Sequence, residues 1–93
     1  MTKKNKGTGL LDKKQQLFVI TMEECGELTQ ACSKMIRDNQ SKDKFRDALK
    51  EEAGDVLCMI ELMIEHGFVT EQELADRVNF KRKKLSKWSN LID

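Results

Sequence analysis

The chain has 93 residues, a formal net charge of +1, 39% apolar residues, five glycines, three cysteines and no proline. That length holds one domain, at the small end of those that fold unaided. The balanced charge exerts no overall pull towards nucleic acid, and no run is long and apolar enough to span a membrane. The lysine-rich start has no apolar stretch behind it of the kind a signal peptide carries. In chain order, residues 1–11 read as a flexible basic arm, because Gly7, Thr8 and Gly9 break any periodicity. Asp12 is placed to cap a first helix running to about Arg37, which residues 38–41 (DNQS) interrupt. A second helical stretch extends from about Lys42 to His66. Its polar opening, to Asp47, allows a short separate turn, and Gly67 is placed as a left-handed stop. Thr70 and Glu73 then form a capping-box pattern that starts a third helix reaching about Trp88. The expectation is an all-α protein: an antiparallel helical bundle of three main helices in a single domain over residues 12–90, with a tail at 91–93. Three helices of this size bury a modest core, so an apolar surface is expected to pair with a second copy.

Two runs break the apolar pattern in the same way. Glu23-Glu24-Cys25-Gly26-Glu27 and Glu51-Glu52-Ala53-Gly54-Asp55 each read acid, acid, small, Gly, acid. On a helix, Leu17, Ile20, Glu24, Leu28, Ala31 and Met35 line one face, so Glu24 stands where a core residue is expected. Phe45, Leu49, Glu52, Val56 and Met59 repeat the arrangement, with Asp55 on the edge. An isolated carboxylate facing a core is unfavourable and ordinarily takes up a proton. Glu24 with Glu27, and Glu52 with Asp55, stand three apart and form two claws. Packed antiparallel, the helices would bring the claws face to face, with divalent cations between them. Oxygen ligands alone select a hard cation, so magnesium is expected, with manganese as a substitute. Magnesium usually shares its shell with substrate phosphates, so a cage open on one side points to a phosphorylated substrate. Gly26 and Gly54, beside the claws, leave room for another helix or a ligand to approach. A di-iron bundle needs Glu-x-x-His on two helices; the single histidine, His66, follows Met63 at that spacing, which excludes it.

The third helix carries the opposite charge. Leu74, Val78, Lys81, Leu85 and Trp88 share a face, so Lys81 interrupts an apolar stripe as the acids do, and Lys84 lies one turn on. Lysines beside a phosphate neutralise charge that builds up in a transition state. Only part of this helix is basic on one side, so nucleic acid is not the expected partner.

With these residues in view, the chain resembles the MazG-like all-α nucleoside triphosphate pyrophosphohydrolases, including small stand-alone members such as those of bacteriophages. It is similar to them in the E-E-x-x-E of Glu23, Glu24 and Glu27, the E-x-x-D of Glu52 and Asp55, and the closing pattern of Asn79, Lys81 and Lys84. The resemblance spans about residues 15–88 and implies cleavage of a nucleoside triphosphate between the α and β phosphates, giving a monophosphate and pyrophosphate. On that reading Glu24, Glu27, Glu52 and Asp55 hold magnesium. Glu23 orients or deprotonates the attacking water or binds a further ion, so Glu23 and Glu24 are the catalytic candidates. Lys81, Lys84 and Asn79 hold the departing pyrophosphate. Gln15, Phe18 and Trp88, with Phe80, are candidates for contacting the base. In this family helices from two chains complete the bundle, which implies a homodimer or a dimer of dimers.

Cys25, Cys32 and Cys58 are odd in number and lack a C-x-x-C pair, so neither a disulfide framework nor a zinc site is expected. Cys25 and Cys32, seven apart on one helical face, read as buried free thiols, and the chain as cytoplasmic. The competing readings are a non-catalytic helical dimer that senses nucleotides or binds a protein partner, and a small nucleic-acid-binding protein using its lysine-rich ends.

Overall fold

The structure is a computed structural model, and it describes residues 10–37 and 42–92. The expected arm up to residue 9, the break at residues 38–41 and the side chains of residues 42–44 lie outside the described residues. Among the described residues there are three helices: α1 (Lys13–Arg37), α2 (Lys42–Glu65) and α3 (Glu71–Trp88). The protein is all-α.

Local chemistry sets the helix ends. At the start of α1 the Gln15 N–H donates to Asp12 Oδ1 at 2.7 Å, and the Asp12 N–H donates back to Gln15 Oε1 at 3.1 Å. This reciprocal cap satisfies two amides that have no partner inside the helix. Lys34 and Arg37 occupy the last turn, where positive charge complements the helix dipole. Helix α2 is continuous from Lys42, so its polar opening does not form a separate turn. It stops at Gly67, which adopts φ +81°, a conformation that disfavours any residue with a Cβ. There the Gly67 N–H donates to the Ile64 carbonyl at 3.0 Å and the Phe68 N–H to the Met63 carbonyl at 2.9 Å. Thr70 then caps α3. The Glu73 N–H donates to Thr70 Oγ1 at 3.1 Å, and the Thr70 N–H to Glu73 Oε1 at 2.9 Å.

Residues up to Leu62 form one compact unit, and those from Met63 onwards a second. In the first, Glu24 lies thirteen residues before the end of α1, and Asp55 thirteen residues after the start of α2. At about 1.5 Å per residue both stand roughly 20 Å from the connection. Their carboxylates approach each other (below), as an antiparallel hairpin requires. The hairpin packs on the two expected stripes. Leu17, Ala31 and Met59 are buried, while Ile20, Leu28, Met35, Phe45, Leu49 and Val56 are half-buried. Met22, Ile36 and Leu57 remain exposed on this unit at 65%, 80% and 55%. In the second unit Leu74 and Leu85 are half-buried, whereas Val78, Phe80 and Trp88 are exposed. Among the described residues no helix is long and apolar enough to cross a membrane.

The caps give a direct test of this account. Thr70→Ala removes the hydroxyl that receives the Glu73 amide, and is expected to destabilise the protein by about 1 kcal/mol. Urea unfolding followed by circular dichroism measures the loss; an unchanged midpoint would show that the cap contributes nothing.

Candidate metal centre

Glu24 comes from the middle of α1, and Glu52 and Asp55 from the middle of α2. Each glutamate occupies a slot in its helix's inward stripe, so burying the stripe carries the acid with it. Glu24 and Glu52 are accordingly half-buried, and Asp55, at the edge, is exposed. One carboxylate oxygen from each of the three lies within 4.8 Å of the others. That breadth matches a shell of oxygen ligands held about 2.0–2.6 Å from one hard cation. The donor set is all oxygen and triply negative, so the residues fit a hard divalent cation.

The electrostatics agree with the geometry. Partial burial lifts the Glu24 carboxyl above its ordinary value of 4.5, and the charges of Asp55, Glu27 and Glu23 lift it further. Glu52 is raised in the same direction, first by burial and then by Glu27, Asp55, Glu24 and Glu51. Glu27 therefore acts on acids of both helices, although it is exposed and stands outside the closest trio. Glu23 is also exposed. It lines an open concavity on α1 with Glu24, Gly26, Glu27 and Gln30. Gln30 was not a sequence-predicted site residue; its spacing of three from Glu27 and seven from Glu23 is the signal that places it there. A Cβ built on Gly26 or Gly54 meets nothing within 4 Å. Among the described residues the space directly beside each glycine is open.

The remaining candidates are not part of this trio. The Gln15 side chain is engaged in the α1 cap, nine residues and about 13 Å of helix from Glu24. Phe18 is half-buried on α1. Asn79, Lys81, Lys84 and Trp88 are exposed on α3, in the second unit. The cysteines correct an expectation: Cys25, Cys32 and Cys58 are all exposed. Cys25 and Cys32 each follow an inward residue, Glu24 and Ala31, and Cys58 precedes Met59. A helical step of about 100° turns each thiol onto the flank of its stripe.

A family model, the MazG nucleotide pyrophosphohydrolase domain, matches residues 12–87. The chain belongs to the MazG nucleotide pyrophosphohydrolase family. The match takes in both acidic turns and the lysines of α3. Comparison with curated proteins and with solved structures gives no significant match. Membership makes the protein a hydrolase that acts on nucleotides, in a family that generally depends on a divalent metal.

The raised carboxyls set a pH dependence. Between the ordinary value of 4.5 and the raised folded value, the native protein holds more protons at Glu24 and Glu52 than the unfolded chain does. Their contribution to stability therefore falls as pH rises through that window. A divalent cation held by the ionised carboxylates would reverse the penalty. Without metal, the melting temperature of the wild type should fall from about pH 5 to pH 7 more than that of a Glu24→Gln, Glu52→Gln double variant. Magnesium should raise it more at pH 7 than at pH 5. Equal pH slopes for the two proteins would contradict the assignment.

Proposed function

We propose that this chain hydrolyses a nucleoside triphosphate, ribo- or deoxyribo-, between its α and β phosphates, releasing the monophosphate and pyrophosphate with magnesium as the working metal. The observation that carries the reading is the convergence of Glu24, Glu52 and Asp55 from two helices, in a family of nucleotide pyrophosphohydrolases. Glu24, Glu27, Glu52 and Asp55 hold the magnesium, and manganese is a workable substitute. When bound, the ion neutralises phosphate oxygens and makes a coordinated water more acidic.

The chain's own residues do the rest. Glu23, on the rim of the concavity, orients the attacking water and accepts its proton, and Glu24 shares that catalytic turn as a ligand. An oxygen–phosphorus bond forms at the α phosphorus while the bond to the bridging oxygen breaks, and that oxygen leaves with pyrophosphate. Lys81, Lys84 and Asn79 receive the leaving group and offset its charge. Phe18 and Trp88 are assigned to the base. Gln15 is assigned there through its remaining amide hydrogens, since its oxygen serves the cap. The working unit is a single domain over residues 12–90 in a cytoplasmic homodimer or dimer of dimers. The second copy covers apolar surface that the chain leaves exposed, such as Met22, Ile36 and Leu57.

Incubation with a panel of ribo- and deoxyribonucleoside triphosphates and magnesium, assayed for pyrophosphate, tests the reading. Silence across the panel would favour a nucleotide sensor that retains the fold. Glu27→Gln and Asp55→Asn are each expected to lower turnover by about 100-fold or more, as loss of a charge-stabilising group does. Both should stay folded, or gain stability, because each removes a negative charge from a crowded cluster. A variant that unfolds without metal while the wild type does not would make these acids structural.

A further inference from the structure

The concavity on α1 holds one side chain to which the proposed reaction gives no part. Glu23, Glu27 and Gln30, with Gly26 between them, share one flank of the helix at steps of three and four, beside the inward Glu24. The hollow measures about 550 Å³. That is within the range of small-molecule sites, about 300–1,000 Å³, and far more than one ion fills. Its floor is bare at Gly26, where a Cβ would meet nothing within 4 Å. A ligand has room to rest against the helix itself.

Gln30 differs in kind from its neighbours. Ionised Glu23, Glu24 and Glu27 offer only acceptors, and the Gly26 amide belongs to the helix ladder. The Gln30 side-chain amide is the one remaining donor on this lining. A glutamine one turn from an acid often hydrogen-bonds it, as Gln72 does with Asp76 at 2.8 Å. Gln30 stands one turn from Glu27, yet among the described residues its side chain makes no hydrogen bond, and it is exposed. A free donor at the edge of an acidic hollow suits a ligand group that only accepts. Phosphate is such a group, and it is repelled by the carboxylates wherever no cation stands between them.

Position along α1 says which phosphates. Phe18, assigned to the base, stands six residues before Glu24, and Gln30 six residues after it, about 9 Å of helix either way. The end of a nucleotide opposite its base is the phosphate tail. We propose that Gln30 donates to the β and γ phosphates, so that the nucleotide runs along α1 with its base towards Phe18 and its tail across Gly26 to Gln30. The inference rests on the function proposed above. It adds a direction to the bound substrate and a residue that distinguishes a long phosphate chain from a single phosphate.

Two variants separate donor from bulk: Gln30→Met keeps the side-chain length and removes the donor, and Gln30→Lys supplies another. The full-length protein, in magnesium, is titrated calorimetrically with inorganic pyrophosphate and with a panel of nucleoside monophosphates. Gln30→Met should weaken pyrophosphate binding about tenfold, as loss of one hydrogen bond to a charged group does, and leave monophosphate binding unchanged. Gln30→Lys should bind pyrophosphate at least as tightly as the wild type. The proposal alone is overturned by an unchanged pyrophosphate affinity in Gln30→Met, by a Gln30→Lys variant that binds no better than Gln30→Met, or by a loss that falls equally or more on the monophosphates. If circular dichroism shows that Gln30→Met loses helix, Gln30→Ala is judged by the same result. A wild type that binds neither product and hydrolyses no triphosphate would overturn this inference and the proposed function together.

Discussion

Like charges held together by an apolar hairpin are the constraint on which the rest depends. Leu17, Ala31 and Met59 draw α1 and α2 into contact, and the same contact brings Glu24, Glu52 and Asp55 within 4.8 Å of one another. Hydrophobic burial thus works against carboxylate repulsion, and Glu24 and Glu52 are raised first by burial and then by the neighbouring acids. On the proposed reading a divalent cation would turn the repulsion into coordination, and an ion that bound the packed hairpin better than the open chain would add its binding energy to folding.

A small core sharpens the effect. Among the described residues only Leu17, Ala31 and Met59 are buried, while large apolar side chains such as Met22, Ile36 and Leu57 face outward. A protein with so little buried surface gains proportionally more from each additional interaction, whether a cap, an ion or a second copy. The capping boxes at Asp12 and Thr70 and the left-handed stop at Gly67 show the chain using local hydrogen bonds where packing is thin.

Much of this was legible in the amino-acid pattern, because helical periodicity and capping chemistry are local. The stripes through Leu17 and Ala31 and through Leu49 and Met59, the caps, and the intrusion of Glu24 and Glu52 into apolar faces all follow from spacing alone. What spacing does not convey is which flank of a helix another element covers. Cys25 and Cys32 share a face and still are exposed, because each sits one helical step off the buried stripe. Nor does spacing convey that the Gln15 oxygen accepts from the Asp12 amide three residues away. Gln30 went unnoticed because an uncharged side chain on a polar edge carries no contrast. The charges of Arg77 and Lys81 are legible in the sequence, whereas their seats over Phe80 and Trp88 depend on side-chain rotamers that spacing does not convey.

The central claim is that acids from both helices share a cation. Manganese binding to the full chain, followed by electron paramagnetic resonance, tests it most directly when Glu24→Gln on α1 and Glu52→Gln on α2 are compared singly and together. Each single change should weaken binding strongly, and the double change should add less than the sum of the two, because both residues serve one site. Undiminished affinity in either single variant, or two independent and additive losses, would contradict a shared centre.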